Sequence, residues 1–312
     1  MKILGIESSC DETAAAVLEI QGDEYPRFSV LSSVIASQAN LHAKYGGVVP
    51  EVAAREHIQA MMPVIFEALR QAGIHDPKKE LDAIAVTRGP GLITSLLVGI
   101  ETAKALSYLW KKPLVPANHL AGHVFSPLLG ILEGAKIVSL SILSLIVSGG
   151  HTELVLLKDW KSFRVVGRTL DDAAGEAFDK VAKMLDLGYP GGPKVSVRAA
   201  KGDPRAFGFP RPMIGNKNLD MSFSGLKTAV LYTLKGAKKR DEKFVNDICA
   251  SFEQAAIDVL AAKTKKAVEE YGAKTVFVGG GVSANARLRA TLATTLSPAT
   301  CHRFYETFSR SN

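Results

Sequence analysis

The chain has 312 residues, of which 47% are hydrophobic and 22% charged, and its formal net charge is +7. This balance is typical of a globular protein with room for two domains of ~150 residues each, and it excludes a disordered or fibrous chain. The absence of an apolar run of ~18 residues and of a signal-peptide layout predicts a cytoplasmic protein without a membrane segment, while the positive charge favours an acidic partner such as nucleic acid.

The first half of the chain predicts a β-hairpin, a helix, and then a strand followed by a second helix. Residues 3–20 read as two strands because branched apolar residues flank a small polar turn at 8–12. Residues 50–73 show amphipathic spacing and end in glycine, which is typical of a helix and its stop signal. Residues 81–106 read as a strand, a glycine-rich loop and a helix.

The second half repeats this order of elements. Residues 144–157 read as another hairpin with a Ser-Gly-Gly turn, and 274–296 as another strand, glycine loop and helix. A long helix over 244–272, closed by Gly272, comes between them. The repetition predicts that one α/β unit is duplicated.

We therefore predict two lobes of α/β structure. The first comprises residues 1–115 and the second 116–296. The second lobe contains a stretch rich in Gly and Pro at 186–221, which we interpret as a long functional loop or lid. In residues 297–312 the apolar periodicity stops, and we interpret this segment as an aberrant tail.

Three turns of serine and glycine are candidate phosphate-binding turns, because backbone N–H groups can approach a phosphate closely there. They lie at 8–12, 147–152 and 279–285. A single glycine turn is usually only a turn, but three in a duplicated frame are a stronger signal. Facing each other across two lobes, they would form the nucleotide cleft of an actin-like fold, with Asp11 and Glu12 as acceptors for a metal, a water or a substrate amine.

His119 and His123 stand four residues apart in ANHLAGHVF, so both imidazoles lie on one face of a helix and could share a metal ion. Asn118 is placed to cap that helix. The alternative is a pair of ordinary helix histidines, since a zinc or iron site needs at least a third ligand. His57 is predicted to lie on a helix surface, whereas His151 sits on a phosphate-binding turn and could contact the ligand.

Residues 169–193 combine an acidic helix start with a Gly-Gly turn. In one interpretation the acidic residues suit the helix dipole and Asp179 is simply solvated. In the other, Asp179 and Gly192 frame a bound ribose or base, which the glycine turn would permit sterically.

Several long blocks of the sequence together resemble one family, the universal tRNA threonylcarbamoyladenosine synthase subunit, which is called TsaD in bacteria and was long catalogued as an O-sialoglycoprotein endopeptidase. The resemblance covers residues 1 to about 296 in order. The blocks that carry it are GIESSCDETAAAV, KYGGVVPEVAAREH, TRGPGLITSLLVG, NHLAGH, VSGGHTELV, DDAAGEAFDKVAKMLDLGYPGGP, SFSGLKTA and FVGGGVSANARLR.

The resemblance implies a duplicated, two-lobed actin-like ATPase fold of the RNase H-like (ASKHA) class. In such a fold, threonylcarbamoyl-AMP binds between the lobes. Its threonylcarbamoyl group passes to N6 of the adenosine just 3′ of the anticodon, in tRNAs that read codons beginning with A, and AMP leaves. The resemblance also implies one divalent metal, Fe or Zn, and ATP or ADP as a further ligand. The implied partners are tRNA and homologues of TsaB and TsaE, without a membrane.

The resemblance also assigns roles to individual positions. His119 and His123 match the metal ligands, and Asp11 and Glu12 match acidic residues with a catalytic role. The positions that match substrate-binding residues are Ser9, Ile146, Val147, Ser148, Gly149, Gly150, Asp179, Gly192 and Asn285.

The chain departs from the family pattern at two places. Ser196 stands where many relatives have an Asp shortly after the PGGP turn. The family also ends in a CTDNA-like segment, whose Asp is the third metal ligand, followed by a final helix; this chain ends in LSPATCHRFYETFSRSN. We hypothesise a frameshifted or truncated C terminus, which the other reading frames of the gene would test. Without that segment we expect exposed apolar surface on the first lobe and weak metal binding, for which Cys301 and His302 are poor substitutes.

Three other functions compete with this prediction. A metalloprotease of the HExxH type would need a glutamate after His119, where this chain has Leu120. A non-catalytic actin-like scaffold would be expected to lack the histidine pair, although the altered C terminus argues for it. A sugar kinase would need an aspartate that deprotonates a hydroxyl, and no candidate is better placed for this than Asp179.

Overall fold

The computed structural model describes residues 1–22, 27–131, 141–158, 162–296 and 303–306. The chain divides into two compact units, Met1–Ile137 and Val138–Asn312. Within the described ranges, no helix has both the length and the apolar character needed to cross a membrane.

The first unit is a five-stranded sheet with helices. Its strands are β1 (Lys2–Glu7), β2 (Glu12–Gln21), β3 (Arg27–Ser37), β4 (Ala83–Gly89) and β5 (Leu114–Asn118), in the order β3-β2-β1-β4-β5. The first three strands are antiparallel neighbours, and β4 and β5 continue the sheet in parallel. Its helices are α1 (Ala39–Ala43), α2 (Pro50–Gln71), α3 (Pro77–Glu80), α4 (Ile93–Trp110) and α5 (His119–Ile131).

The second unit has the same plan. Its strands are β6 (Ile142–Val147), β7 (Thr152–Leu157), β8 (Phe163–Arg168), β9 (Thr275–Gly279) and β10 (Arg303–Glu306), in the order β10-β9-β6-β7-β8. Its helices are α6 (Ala174–Met184), α7 (Gly191–Ala199), α8 (Ser224–Gly236), α9 (Glu242–Tyr271), a 3-10 turn (Gly281–Ala284) and α10 (Ala286–Thr295).

The two sheets confirm the predicted duplication. Read from the third strand of each unit, the orders are β3-β2-β1-β4-β5 and β8-β7-β6-β9-β10, so every strand has a counterpart. The sequence also predicts the positions of both hairpins, both strand-loop-helix segments and the long helix correctly. Gly272, which closes that helix, adopts the left-handed conformation. The predicted α/β architecture is therefore present in each unit.

The structure differs from the sequence prediction in one domain boundary and in the character of two segments. The first unit extends to Ile137 rather than to residue 115, because β5 pairs with β4 and α5 contacts the same sheet. The stretch 186–221 contains helix α7, and part of the remainder is core. The residues of that stretch with buried side chains are Val195, Ala199, Phe209, Leu219 and Met221. The tail is not without pattern either, since four of its residues form β10, which pairs in parallel with β9.

Each unit has its own apolar core. In the first, one face of the sheet packs against α2 and α4 through residues such as Leu4, Ile6, Val17, Ile65 and Leu106. Small side chains on the sheet, including Gly5, Ala14, Ala16, Ala85 and Ala117, border a groove of about 250 Å³. In the second, the sheet packs against α6 to α10, where Phe178 and Phe252 meet edge to face with centroids 5.0 Å apart.

Candidate functional site

The turn between β1 and β2 is held by hydrogen bonds from three other segments to three consecutive carbonyls. The Ser9 carbonyl accepts a hydrogen bond from the Leu92 backbone amide at 2.7 Å, and the Cys10 carbonyl accepts one from the His57 ring at 3.0 Å. The Asp11 carbonyl accepts one from the Gln38 backbone amide at 3.0 Å. The close approach of the Leu92 loop requires a glycine, because a Cβ on Gly91 would lie 2.5 Å from the Ser9 oxygen.

The prediction that His57 lies on the helix surface is wrong. Its side chain is fully buried, and its two ring nitrogens contact the Cys10 carbonyl and the Thr13 hydroxyl. The amphipathic spacing contained this signal, since His57 lies four residues from the buried Ala53 and from the buried Met61.

The histidine pair lies at the start of α5. As predicted, Asn118 caps the helix by accepting a hydrogen bond from the Ala121 amide at 3.1 Å. The Nε2 atoms of His119 and His123 lie 3.1 Å apart, close enough to share one ion. His119 Nδ1 lies 3.1 Å from the Ser9 hydroxyl, so the candidate phosphate-binding turn at 8–12 lies next to the histidine pair.

A carboxylate that the sequence analysis missed lies behind the pair. Glu7 Oε2 is 3.3 Å from His119 Nδ1, and Glu7 also accepts hydrogen bonds from the Ser9 amide and the Thr87 hydroxyl. Burial by itself would raise the pKa of Glu7, but these bonds lower it to about 2. An ionised Glu7 accepts the Nδ1 proton of His119 and so leaves the Nε2 lone pair available as a metal ligand.

The pair fits two coordination positions of a divalent metal. With metal–nitrogen bonds of about 2.0–2.1 Å, nitrogens 3.1 Å apart subtend about 100° at a shared ion, close to the tetrahedral angle. Among the residues that the structure describes, no group of three or more His, Cys, Asp and Glu side chains is arranged to hold a metal. Cys301 and His302 lie outside the described residues.

The acidic pair lies on the same turn. Desolvation raises the pKa of Glu12, and the charges of Asp11 and Glu7 raise it further, which makes Glu12 a stronger base than an ordinary carboxylate. Desolvation and the same carboxylates raise the pKa of the Cys10 thiol to about 12, so this cysteine stays protonated and is a poor nucleophile.

In the second unit, the turn between β6 and β7 lies against the glycine loop after β9. Ile146 and Val147 are fully buried, so only their backbone is available to a ligand, whereas Gly149 and Gly150 are exposed. Gly280, at φ +90°, brings the two segments together, since a Cβ there would lie 2.4 Å from the Val147 oxygen. The Ser148 amide donates to the His151 carbonyl at 2.8 Å and closes the turn.

The other substrate-binding candidates of this unit are Asp179 on α6, Gly192 on α7 and Asn285 at the start of α10. Asp179 is not simply solvated, because it accepts a hydrogen bond from the Gly191 amide at 2.7 Å and holds the start of α7. A Cβ on Gly192 would meet no atom within 4 Å, so a ligand has room beside it.

Asn285 caps α10 through the Leu288 amide and is itself held by a buried glutamate. Its side-chain nitrogen donates to Ser196 Oγ at 2.9 Å and to Glu253 Oε1 at 2.7 Å. Glu253 also accepts from Ser196 at 2.7 Å, and only 3% of it is exposed. The sequence analysis did not identify Glu253.

Comparison with known proteins identifies the family. A family model described as "TsaD: tRNA N6-adenosine threonylcarbamoyltransferase" matches residues 29–310. The chain belongs to the TsaD family. A relative with the same name from Thermomicrobium roseum is 49% identical, over 94% of this chain and 84% of its own length. The Bacillus subtilis relative is 47% identical, over 94% of this chain and 81% of its own length. The resemblance seen in the sequence is thus confirmed.

Solved structures confirm the actin-like ATPase fold. HypF from T. kodakarensis superposes with a TM-score of 0.62 at 15% identity, over 99% of this chain and 45% of the HypF chain. Component A of the (R)-2-hydroxyglutaryl-CoA dehydratase of Acidaminococcus fermentans gives a TM-score of 0.52 at 16% identity, over 98% and 92% of the two chains. At these identities the likeness shows the fold alone.

The role of Glu7 in this TsaD-family chain can be tested by metal binding. Replacing Glu7 with glutamine removes the charge that fixes the proton on His119 Nδ1, so zinc affinity should fall by about 10- to 100-fold. Competition with a chromogenic chelator would measure it. Glu101→Gln is the matched control, because Glu101 is an exposed partner of Lys104. Equal affinities in both variants would contradict the prediction.

Proposed function

We propose that this chain transfers the threonylcarbamoyl group of threonylcarbamoyl-AMP to N6 of a tRNA adenosine and releases AMP. Relatives with 47% to 50% identity are named for this transfer. The observation that supports it best is the histidine pair, with Nε2 atoms 3.1 Å apart and His119 oriented by Glu7 beside Ser9. A protease of the HExxH type is disfavoured because Leu120 follows His119.

The reaction makes three demands on the protein. The carbamoyl carbon forms a bond to N6 while its bond to the phosphate oxygen breaks, and the electron pair of that bond leaves with AMP. N6 loses one proton. The chain must therefore hold the phosphate, stabilise the charge that develops on oxygen, and provide an acceptor for the proton.

The turn between β1 and β2 offers groups for two of these demands. The C=O and N–H of a trans peptide point in opposite directions. Because the Ser9 and Cys10 carbonyls point to Leu92 and His57, the Cys10 and Asp11 amides point the opposite way and can serve as donors to an anion. Glu12, with its raised pKa, is suited to accept the N6 proton, and Asp11 supports it.

His119 and His123 would hold the divalent ion that the family implies, Fe or Zn. Such an ion supplies Lewis-acid polarisation of the phosphate or carbamoyl oxygen. Glu7 fixes the His119 tautomer for that purpose. In the second unit, the exposed Gly149 and Gly150 and the open side of Gly192 are proposed backbone contacts for a nucleotide such as ATP or ADP.

The partners of the chain follow from the same proposal. The tRNAs are those that read codons beginning with A, modified just 3′ of the anticodon, and homologues of TsaB and TsaE assist in the cytoplasm. The net charge of +7 suits a polyanion. The basic side chains at 238–240 are exposed and so available to it.

The transfer is tested directly with threonylcarbamoyl-AMP labelled in the carbamoyl carbon. The purified chain, with TsaB and TsaE homologues, is mixed with an unmodified tRNA transcript, and we expect label in the adenosine 3′ of the anticodon. A transcript with guanosine at that position is the matched control and should stay unlabelled. No label in either transcript, with AMP still bound by the chain, would favour the non-catalytic scaffold.

A further inference from the structure

His57 links helix α2 to the β1–β2 turn through both nitrogens of a fully buried ring. Its Nε2 lies 3.0 Å from the Cys10 carbonyl, and its Nδ1 lies 2.7 Å from the Thr13 hydroxyl. A carbonyl can only accept, so Nε2 carries a proton. Burial lowers the pKa of His57, which keeps the ring neutral; Nδ1 therefore accepts from the Thr13 hydroxyl.

The bond to Cys10 sets the direction of one peptide plane in the turn. Since the Cys10 carbonyl points to His57, the Asp11 amide in the same plane points the opposite way. Within the described part of the chain, this amide has no hydrogen-bond acceptor. The neighbouring carbonyls of Ser9 and Asp11 are held by backbone amides, so the Cys10 bond is the one of the three that a side-chain substitution removes.

We propose that His57 is a positioning residue for the transfer, which by holding the Cys10 carbonyl aims the Asp11 amide at a phosphate oxygen of the adenylate. The inference rests on the proposed function for the identity of that anion. His57 itself does not touch the substrate. Its effect is carried by the Cys10–Asp11 peptide, and Thr13 fixes the tautomer that makes the bond to Cys10 possible.

Two substitutions separate the two ring nitrogens. Glutamine places an amide nitrogen near the position of imidazole Nε2, so His57→Gln keeps a donor for Cys10. Asparagine reaches only the Nδ1 position, so His57→Asn keeps an acceptor for Thr13 and loses the bond to Cys10. Both remove the aromatic ring, which makes them controls for each other. Thr13→Val is a third variant that keeps the ring and removes the hydroxyl that orients it.

The affinity for AMP, measured by calorimetry at 10 °C on folded protein, is the first readout. His57→Asn should weaken AMP binding about 10- to 100-fold, which is the effect of one hydrogen bond to a charged group. His57→Gln should stay within about threefold of the wild type, and Thr13→Val should fall between them. In the transfer assay, His57→Asn should raise KM for the adenylate and leave kcat nearly unchanged, because the lost contact stabilises the bound substrate and the transition state equally. The affinity for tRNA should not change.

The outcomes distinguish the inference from the proposed function. If the wild type binds AMP and His57→Asn binds it equally well, the positioning role is wrong. Equal losses in the Asn and Gln variants, or a parallel loss of tRNA affinity, would assign the effect to packing and overturn it as well. If the wild type neither binds AMP nor transfers the label, the proposed function fails, and with it the anion on which the inference depends.

Discussion

Replacing His123 with alanine should reduce the transfer rate by roughly a thousandfold. The two proposed metal-ligand nitrogens are the Nε2 atoms of His119 and His123, which lie 3.1 Å apart. Removal of either leaves a single imidazole, which cannot retain a zinc or iron ion on its own. Lewis-acid catalysis contributes several kcal/mol to the transition state, and each ~1.4 kcal/mol corresponds to a factor of ten in rate.

The measurement compares metal content and transfer rate in the same preparations. His75→Ala is the matched control, because His75 is exposed and bonds to Glu80 through its backbone amide. We expect the control to retain the metal and the rate. A His123→Ala protein that keeps its metal and transfers within threefold of the wild type would show that the pair is an ordinary helix pair, which is the alternative that the sequence left open.

The elements that the sequence predicted correctly are those specified by local signals. Hairpin turns, the glycine stop after α9 and the Asn118 cap each depend on residues close together in the chain, and all three lie where they were predicted. The duplication could be read because the same local signals recur in the same order. The family could be named because long blocks of sequence coincide with it, and the comparisons confirm it.

The contacts that complete the site join distant parts of the chain, and no local pattern specifies them. Glu7 meets His119 across 112 positions, and Glu253 meets Ser196 across 57. His57 is different, because its burial could have been read from its spacing on α2. The polar character of its side chain argued for the surface, but two hydrogen bonds satisfy the ring inside.

The stretch at 186–221 shows how tertiary packing overrides composition. Glycine and proline predicted a loop, yet Gly191–Ala199 forms helix α7, in which Pro193 occupies the first turn, where proline is tolerated. A helix of nine residues is not stable alone and depends on packing, here of Val195 and Ala199. Strand β10 was missed because four residues carry too little periodicity to be recognised.

The second large effect concerns stability, where Glu253→Ala should lower the free energy of unfolding by about 3 kcal/mol. Glu253 is 3% exposed and accepts hydrogen bonds from Ser196 and Asn285. Its second oxygen lies 3.4 Å from Arg287. Alanine would leave these donors without their acceptor and open a cavity, and loss of one partner from a buried ion pair costs about 3–5 kcal/mol. Because the Arg287 side chain is 30% exposed, we expect a loss of stability at the lower end of this range.

Urea unfolding followed by circular dichroism would measure this effect, and two further variants assign its cause. Glu242→Ala removes a glutamate from the same helix, but its partner Arg198 is at the surface, so we expect less than about 0.5 kcal/mol. Glu253→Gln keeps an oxygen acceptor for Ser196 and Asn285 and removes the charge, so we expect about 1 kcal/mol. If the glutamine and alanine variants lose the same amount, the ion pair with Arg287 carries the stability. If Glu253→Ala matches Glu242→Ala, the group around Asn285 is held by packing and Glu253 is not its anchor.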